Sequence, residues 1–416
     1  MLRGWKRGEL GDVLTFQRGF DLPQRDRQEG NIPIVSSSGI SGYHYLAKVH
    51  GPGVVTGRYG TLGQVFYIKK DFWPLNTTLF VREFKGNDPL FLSYFLRTLN
   101  LANQNAAGAV PGLNRNALHL LPVCIPPFPT QRKIAAILSA YDNLIENNTR
   151  RIAILENMAQ ALYREWFVHF RFPGYEKKRM VESVLGMIPE GWEVVKLGDV
   201  AQEIRRNINP ELIDPETPYF GLEHFPRRSI ALASWGTAKE VQSTKLVFKE
   251  GEILFGKIRP YFHKVGVAPL DGVCSTDTIV ISPRTKEYSG LVLCCVSSDE
   301  FVNYATLTSQ GTKMPRANWD VLVKYPVVIP PKQMLLHFDT FVQNIMYQIQ
   351  NLIFRNRNLR CTRDLLLPRL ISGEVDVEGL DIETGEGMTE APASIEEDVK
   401  KSAEVALAGE QMPLWG

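Results

Sequence analysis

An internal duplication constrains this chain more than any other feature of its sequence. The hexapeptide PVCIPP starts at Pro122 and the similar PVVIPP starts at Pro326, 204 residues later. The tetrapeptide Leu-Gly-Asp-Val at residues 10–13 recurs at 197–200, at an offset of only 187. The offset therefore grows by 17 residues inside the repeat, so the second copy has the longer interior. Two copies of one unit predict two domains of the same fold.

The interior of each copy combines features of strands and helices. Residues 53–57 and 276–282 are rich in β-branched side chains and lie beside glycine or polar residues, which is typical of strands. Residues 89–100 place large apolar side chains at helical spacing. The sequence therefore predicts an α+β fold for each copy.

A long helix is predicted after each proline-rich motif, because apolar residues there alternate in steps of three and four over four heptads. The seam of the first helix is Leu138, Tyr141, Ile145, Asn148, Ile152, Leu155, Ala159, Leu162 and Trp166. The seam of the second is Val342, Ile345, Ile349, Leu352, Asn356, Leu359, Arg363, Leu366 and Leu370. The seams coincide at the offset of 204, so the helices belong to the repeat. We predict a coiled coil; helices buried in a larger core are the alternative.

Composition and motif searches limit the classes of function. No apolar run approaches the ~18 residues of a membrane span, and the N-terminus has no signal-peptide core, so we expect a cytoplasmic protein without membrane contact. The five cysteines include no C-x-x-C pair, so we expect no structural metal site. The sequence contains no G-x-x-x-x-G-K-[ST], H-E-x-x-H, G-x-S-x-G or Asn/Asp-Pro-Pro-aromatic motif. Residues 51–57 have the wrong glycine spacing for a nucleotide-binding turn, so we expect no catalytic residue and no cofactor in this chain.

The order of these motifs resembles the specificity subunits of type I restriction–modification enzymes. The resemblance rests on the repeated Leu-Gly-Asp and Ile-Pro-Pro motifs and on Gln-Arg-Lys-Ile at 131–134, which opens the first helix. Residues 56–80 resemble a recurrent segment of the family's target-recognition domains. The ends of the two helices, at 163–167 and 365–374, also resemble those of the family.

The resemblance implies a non-catalytic subunit that recognises a bipartite double-stranded DNA target with two target-recognition domains. Its implied partners are two methyltransferase (modification) subunits, which restriction/translocase subunits can join. S-adenosylmethionine, ATP and magnesium would then belong to the partners. The expected domains are target-recognition domain 1 at 1–130, spacer helix 1 at 131–170, a connector with target-recognition domain 2 at 171–330, spacer helix 2 at 331–373 and an acidic tail at 374–416.

Two recognition domains at opposite ends of a spacer require antiparallel helices. An antiparallel seam pairs residues whose numbers have a constant sum, and a sum of 504 pairs Asn148 with Asn356. The same sum pairs Trp166 with Phe338, whereas Tyr141 falls opposite Arg363, which would stack on the ring or point outward. At about 1.5 Å per residue the first helix would span roughly 54 Å, more than one ~34 Å turn of DNA.

Candidate DNA contacts are loops that combine glycine with cationic or polar side chains. Arg58 can pair with guanine or phosphate, and Tyr59 beside it can stack on a base. The candidates in the first domain are Gln17, Arg18, Ser36, Ser37, Ser38, Thr56, Arg58, Tyr59 and Thr61. Those in the second are Arg205, Arg206, Lys257, Arg259, Tyr261, His263, Lys264, Ser309, Gln310, Thr312 and Lys313. The alternative is that these loops are ordinary polar turns with solvated charges.

The C-terminal segment differs in charge from the rest of the chain. Residues 380–416 contain nine acidic side chains and two lysines, a net charge of −7, which leaves about +9 on the remainder. We expect a disordered tail whose removal leaves DNA preference intact, and Met412–Trp415 is a candidate docking element. Two other functional classes stay open at this point: a coiled-coil scaffold that binds only proteins, and an enzyme whose site is too dispersed to form a motif.

Overall fold

The computed structural model describes residues 4–104 and 112–384 of the chain. The chain divides into two compact units. The first unit contains the residues up to Ile145 and resumes at Asn358, and the second runs from Glu146 to Arg357. No helix among the described residues has the length and apolar character needed to cross a membrane.

The first unit is an α+β domain with two small sheets. Its elements are β1 (Lys6–Glu9), α1 (Leu10–Val13), β2 (Thr15–Arg18), β3 (Ile32–Ser36), β4 (Gly39–His44), β5 (Gly53–Gly57), β6 (Val65–Ile68), β7 (Trp73–Pro74), β8 (Thr78–Glu83), α2 (Pro89–Thr98), α3 (Arg115–His119), β9 (Pro122–Ile125) and the beginning of α4 (Phe128–Tyr163). The strands form one sheet in the order β2-β8-β5-β6 and another in the order β4-β3-β7, while β1 pairs with β9.

The second unit begins within α4, which continues into a π-helical turn at Arg164–Val168. Its further elements are β10 (Met180–Ser183), β11 (Gly186–Pro189), β12 (Glu193–Lys196), α5 (Leu197–Val200), β13 (Ala201–Glu203), β14 (Asn207–Ile208), β15 (Pro218–Phe220), β16 (Gly236–Thr237), β17 (Lys245–Phe248), β18 (Ile253–Gly256), β19 (Val265–Val267), β20 (Gly272–Cys274), β21 (Thr278–Pro283), α6 (Ser289–Val296), α7 (Asp299–Leu307), α8 (Trp319–Leu322), β22 (Pro326–Ile329) and most of α9 (Lys332–Ile371).

The duplication predicted from the sequence is visible in the strand order of the two units. The sheet β2-β8-β5-β6 of the first unit has its counterpart in β13-β21-β18-β19 of the second. The arrangement of β3 between antiparallel β4 and parallel β7 recurs in β15 between β16 and β20. In the second unit β14 and β17 extend that smaller sheet, which uses part of the longer interior predicted for the second copy. The α+β prediction is therefore confirmed for both copies.

The core of the first unit forms where the larger sheet meets α2. Phe91, Leu92 and Leu96 of this helix are fully buried, as the helical spacing of apolar residues predicts. The side chain of Asp88 caps the helix by accepting a hydrogen bond from Phe91 N at 2.7 Å. Packing and capping thus fix α2 against the strands that carry the candidate loops.

In the second unit the segments of α4 and α9 run antiparallel. The Asn148 side chain donates to Asn356 Oδ1 at 2.9 Å, and the Trp166 and Phe338 rings lie 5.8 Å apart, so residue numbers rise along one helix as they fall along the other. Both contacts are those expected from the sum of 504. The same helices also contact the globular core, since Gln160 on α4 donates to Ser297 Oγ at 2.8 Å. They are therefore packed against their domain as well as against each other.

The helix segments of the first unit also pack through apolar residues. Leu138 and Leu370 are buried in one cluster. Arg363 was expected to stack on Tyr141 or to point outward, but it forms an ion pair with Asp142. The Asp142 carboxylate also accepts a hydrogen bond from the Tyr94 hydroxyl at 2.6 Å. Stacking of Arg363 on Tyr141 is thus replaced by a charged contact one residue further along α4. All seam positions named from the sequence, in both units, are buried or half-buried.

The ordered chain continues past the end of α9. Val377 is only 1% exposed, and the Lys133 ammonium group donates to the carbonyl oxygens of Glu378 and Leu380 at 2.7 and 2.8 Å. Residues 374–384, which the sequence analysis assigned to the tail, therefore pack on the first unit. The rest of the predicted tail, including Met412–Trp415, lies outside the described residues.

Candidate nucleic-acid interface

The loop after β5 is held in the first unit by backbone hydrogen bonds to two other segments. Arg58 N donates to Thr77 O at 2.8 Å, in the turn that precedes β8. Leu113 N donates to Arg58 O at 3.0 Å, which joins the segment before α3 to the same loop. Arg58 and Tyr59 are therefore positioned by the backbone of flanking loops.

Two other candidate segments approach this loop. Gly19 N, just after β2, donates to Thr78 O at 3.1 Å. A Cβ atom at Gly57 would lie 3.1 Å from the Cβ of Ser37, in the turn between β3 and β4. The structure thus brings Gln17–Arg18, the serine turn at 36–38 and the loop at 57–61 to one region of the first unit. We call this region the first loop group.

Arg58 and Tyr59 form the most developed side-chain arrangement of the first loop group. The guanidinium carbon of Arg58 lies 4.5 Å from the centroid of the Tyr59 ring, a cation–π contact. The Tyr59 side chain is 38% exposed. The contact pre-orients the guanidinium group, which can donate two parallel hydrogen bonds to guanine or to a phosphate.

The second unit positions Lys257 by the same pattern of bonds. Lys257 N donates to Asp277 O at 2.9 Å in the turn before β21, and Ala317 N donates to Lys257 O at 2.9 Å. Arg58 and Lys257 therefore occupy equivalent places in the two copies. The sequence analysis named both as candidates, and the hydrogen bonds define their equivalence residue by residue.

The segment from Ser309 to Lys313 joins this loop in the second unit. Gln310 pairs with Arg316 through two backbone hydrogen bonds of 3.0 and 2.9 Å, and Arg259 N donates to Pro315 O at 2.7 Å. The side chains of Thr312 and Lys313 are exposed. We call residues 256–261 and 309–317 the second loop group.

Arg259 and His263 have left-handed backbone conformations, with φ of 49° and 51°, at the two ends of the turn at Pro260–Phe262. Such conformations are uncommon for residues other than glycine. The turn projects Tyr261, which is 52% exposed, from the surface of the second unit.

The structure corrects the expectation of surface contact at two positions. Thr56 is fully buried, because β5 is covered on both faces. His263 is 8% exposed, and its Nε2 donates to the carbonyl oxygen of Ser297 at 2.9 Å. Both side chains are occupied in packing and cannot contact a ligand at the surface without rearrangement.

Three other cationic candidates are bound to neighbouring groups of the protein. Arg206 forms two hydrogen bonds of 2.9 Å to the carboxylate of Glu252, which is almost buried. Arg205 lies 2.6 Å from the carboxylate of Glu203. Lys264 is half-buried and donates to a backbone carbonyl. A phosphate would have to displace these partners.

The sequence analysis did not identify the residues outside the candidate segments that hold the two loop groups in place. Thr77 and Asp277 contribute backbone carbonyls, which side-chain chemistry does not reveal. Arg316 was also missed; it lies 3.4 Å from Asp277 in the second loop group. Among residues 4–104 and 112–384, no group of three or more His, Cys, Asp or Glu side chains is arranged to hold a metal ion.

Two copies of one α+β domain, each followed by a long helix and each bearing a loop group, define a duplicated recognition protein. The chain belongs to the family of the type I restriction modification DNA specificity domain, whose family model matches residues 3–157 and 189–355. It is thus a type I specificity subunit of the restriction–modification class.

Individual relatives extend along almost the whole chain. The MjaIX specificity subunit of a type I restriction enzyme from Methanocaldococcus jannaschii is 24% identical over 408 residues, covering 89% of this chain and 93% of that protein. The EcoDI specificity subunit from Escherichia coli is 26% identical over 449 residues, covering 97% and 96%. The crystal structure of the S subunit of a type I system from M. genitalium has a similar fold, with a TM-score of 0.58, 15% identity and coverage of 88% and 96%.

Proposed function

We propose that this chain recognises a bipartite double-stranded DNA target, with one half-site bound by each α+β domain. The observation that carries the proposal is the equivalence of Arg58 and Lys257. A cationic side chain stands at the same place in both copies, while the surrounding loops differ in sequence. Different loops on one framework suit two different half-sites, because base recognition depends on the individual donors and acceptors.

The long helices would act as a spacer and as a platform for partner subunits. In this proposal two modification subunits bind the chain and restriction/translocase subunits join them. S-adenosylmethionine would supply the methyl group to the modification subunits, and ATP with magnesium would serve the restriction subunits. This chain would contribute recognition and assembly, and its partners would contribute the catalytic groups.

Tethering gives the two domains a joint affinity that neither would have alone. Binding of one half-site makes the second binding event intramolecular and raises its effective concentration. We therefore expect weak binding of either half-site and strong binding of both at the correct spacing. Salt should weaken all of these interactions through the release of counterions from DNA.

The test is methylome sequencing of a host that has no other methyltransferase and expresses the full chain together with a type I modification subunit that assembles with it. Arg58→Ala should relax one position in one half of the motif, at a cost of about 1–3 kcal/mol in binding if the side chain contacts a base. Lys257→Ala should affect the other half. Lys6→Ala is the control, because Lys6 lies on β1 outside both loop groups.

The result also separates the proposal from a scaffold that binds only proteins. A bipartite motif that depends on Arg58 and Lys257 supports recognition of two half-sites. A complex that assembles with the modification subunit but neither methylates nor binds DNA specifically would support the scaffold. Methyl transfer by this chain alone would indicate an enzyme.

A further inference from the structure

A cleft of about 780 Å3 opens in the first unit beside the edge strand β2. Its lining includes Gln17 and Arg18 from β2, Arg82 from β8, and Arg115, Asn116 and His119 from α3. Three arginines from three separate elements thus face one cavity. Only two of these six residues, Gln17 and Arg18, were singled out by their sequence context.

The arginines of the cleft are available to a ligand. None of the guanidinium groups of Arg18, Arg82 and Arg115 forms an ion pair with another described residue, and all three residues are exposed. By contrast, Arg205 and Arg206 of the second unit are bound to carboxylates. Asp21 also lines the cleft, so the lining carries three arginines and one carboxylate. This excess of positive charge attracts an anion, because each cation lowers the free energy of bringing negative charge into the cavity.

His119 lines the cleft and is fixed in one tautomer. Its Nε2 accepts a hydrogen bond from Phe16 N at 2.9 Å, so the neutral ring carries its proton on Nδ1. The ring also stacks on Phe16 with a centroid distance of 6.0 Å. Burial lowers the pKa of His119, and the nearby charges of Lys85 and Arg115 lower it further. The ring is therefore a neutral group in a positively charged surrounding.

The second unit has different side chains at most of the positions equivalent to this cleft lining. Val323 lies against Gly198 as His119 lies against Gly11, which identifies the two positions as equivalent. At the same offset of 204, Trp319 and Asp320 stand where the first copy has Arg115 and Asn116. The equivalence of β8 and β21, at an offset of 200, places Ser282 at the position of Arg82. Two of the three arginines of the cleft, Arg82 and Arg115, thus have uncharged counterparts in the second copy, whereas Arg18 corresponds to Arg205 at the offset of 187.

We propose that this cleft binds the phosphodiester backbone of DNA next to the first half-site. The inference rests on the proposed DNA-binding function and assigns Arg82 and Arg115 the role of phosphate contacts. Guanidinium groups bind phosphate oxygens through paired hydrogen bonds, and Asn116 adds an amide donor. Phosphate contacts position a protein on the duplex without reading its sequence. The first domain therefore contributes more of the sequence-independent affinity than the second.

The experiment measures DNA binding by the full chain assembled with its modification subunits. Fluorescence anisotropy over a range of salt concentrations would compare the wild type with R82Q, R115Q and the double variant, on target and non-target duplexes. We expect weaker binding by a similar factor on both duplexes, and a salt slope of log K smaller by about one for each arginine removed. R7Q is the matched control, because Arg7 is an exposed arginine of β1 in the same unit.

The outcomes distinguish this inference from the proposed function. If the wild-type complex binds its target specifically and the double variant keeps the wild-type salt slope, the cleft does not hold DNA phosphate. A changed methylation motif in the variants would mean that the cleft contacts bases, which also overturns the inference. A third arm titrates inorganic tripolyphosphate without DNA; binding that is lost in R82Q/R115Q, with DNA affinity unchanged, would assign the cleft to a free polyphosphate instead. Failure of the wild type to bind any site specifically would count against the proposed function itself.

Discussion

Asn148 and Asn356 are joined side chain to side chain, with Asn148 Nδ2 donating to Asn356 Oδ1 at 2.9 Å. Asn356 is 2% exposed and also donates to the hydroxyl of Thr149 at 3.3 Å. The pair is a polar layer between otherwise apolar layers of α4 and α9. A shift of either helix by one turn would bury each amide against hydrocarbon, so the pair opposes changes of register.

The first prediction concerns the stability of this polar layer. Asn356→Leu should lower the free energy of unfolding by about 1–3 kcal/mol, because it leaves the Asn148 amide without its partner. The double variant N148L/N356L should recover much of that loss, since two facing leucines need no hydrogen bonds. Urea unfolding of the three proteins measures both effects. A double variant less stable than N356L would show that the pair stabilises the helices directly.

The second prediction concerns Glu156 on α4, whose Oε1 accepts hydrogen bonds from Ser229 Oγ, Ile230 N and Ala231 N at 2.7, 2.8 and 2.9 Å. Glu156→Ala should cost about 1–3 kcal/mol, because two backbone amides lose their acceptor. Glu156→Gln keeps an acceptor oxygen and should cost less. Thermal unfolding at neutral pH measures the difference.

A pH series tests the same residue further. Burial raises the pKa of Glu156 above the ordinary glutamate value of 4.5, and the three hydrogen bonds only partly oppose this. The folded protein therefore binds this proton more tightly than the unfolded chain, so the stability that the bound proton contributes is lost as the pH rises through the folded-state pKa of Glu156. Between about pH 4.5 and neutrality, E156Q should gain stability relative to the wild type. Glu146→Gln, at an exposed position of α4, is the matched control.

The third prediction concerns the five cysteines. Cys124 and Cys361 are exposed, whereas burial raises the pKa of Cys274 and of Cys295 to about 12 and also raises that of Cys294. The thiolate is the reactive form, so the buried thiols should not react at pH 8. A thiol-specific chromogenic reagent should titrate two groups in the folded protein and five after denaturation. In C124S/C361S the rapid reaction should disappear; a remaining rapid thiol would contradict the burial of the other three.

The fourth prediction concerns the segment after α9. A chain that stops after Gly373 lacks Val377, which is 1% exposed in the core of the first unit. Its loss should cost at least about 1.5 kcal/mol of stability. A chain that stops after Thr384 keeps this contact and is the control, with the stability and the methylation motif of the wild type. Equal melting temperatures for the two truncated chains would show that residues 374–384 do not stabilise the first unit.

The repeat and the helix contacts could be predicted from the sequence because each rests on periodicity. Heptad spacing identifies the side of a helix that is buried, and the asparagines at 148 and 356 then select one alignment. Arg363 departed from the expected pairing because Asp142, adjacent to the predicted seam position, offers a carboxylate. Heptad spacing alone does not show whether a charged residue beside the seam will form an ion pair with a residue in the seam.

The candidate site was less accessible to sequence reasoning. Thr56 was expected at the surface, yet every residue of β5 is buried, and a strand covered on both faces gives no alternation from which to choose an exposed side. Arg206 resembled a free cation until the fold placed Glu252 beside it, 46 residues away in sequence. Arg82 and Arg115 meet at one cleft through tertiary structure, which no local pattern encodes.

The interrupted course of the first unit has a consequence for biosynthesis. Its core combines strands made early with Leu370, Ile371 and Val377, which leave the ribosome only after the entire second unit. The second unit is continuous from Glu146 to Arg357 and can complete its core while translation proceeds. The first copy therefore keeps an apolar face uncovered during the synthesis of some 200 residues, roughly 10–40 s at about 5–20 residues per second. Chaperone demand during expression should therefore come mainly from the half of the protein that is made first.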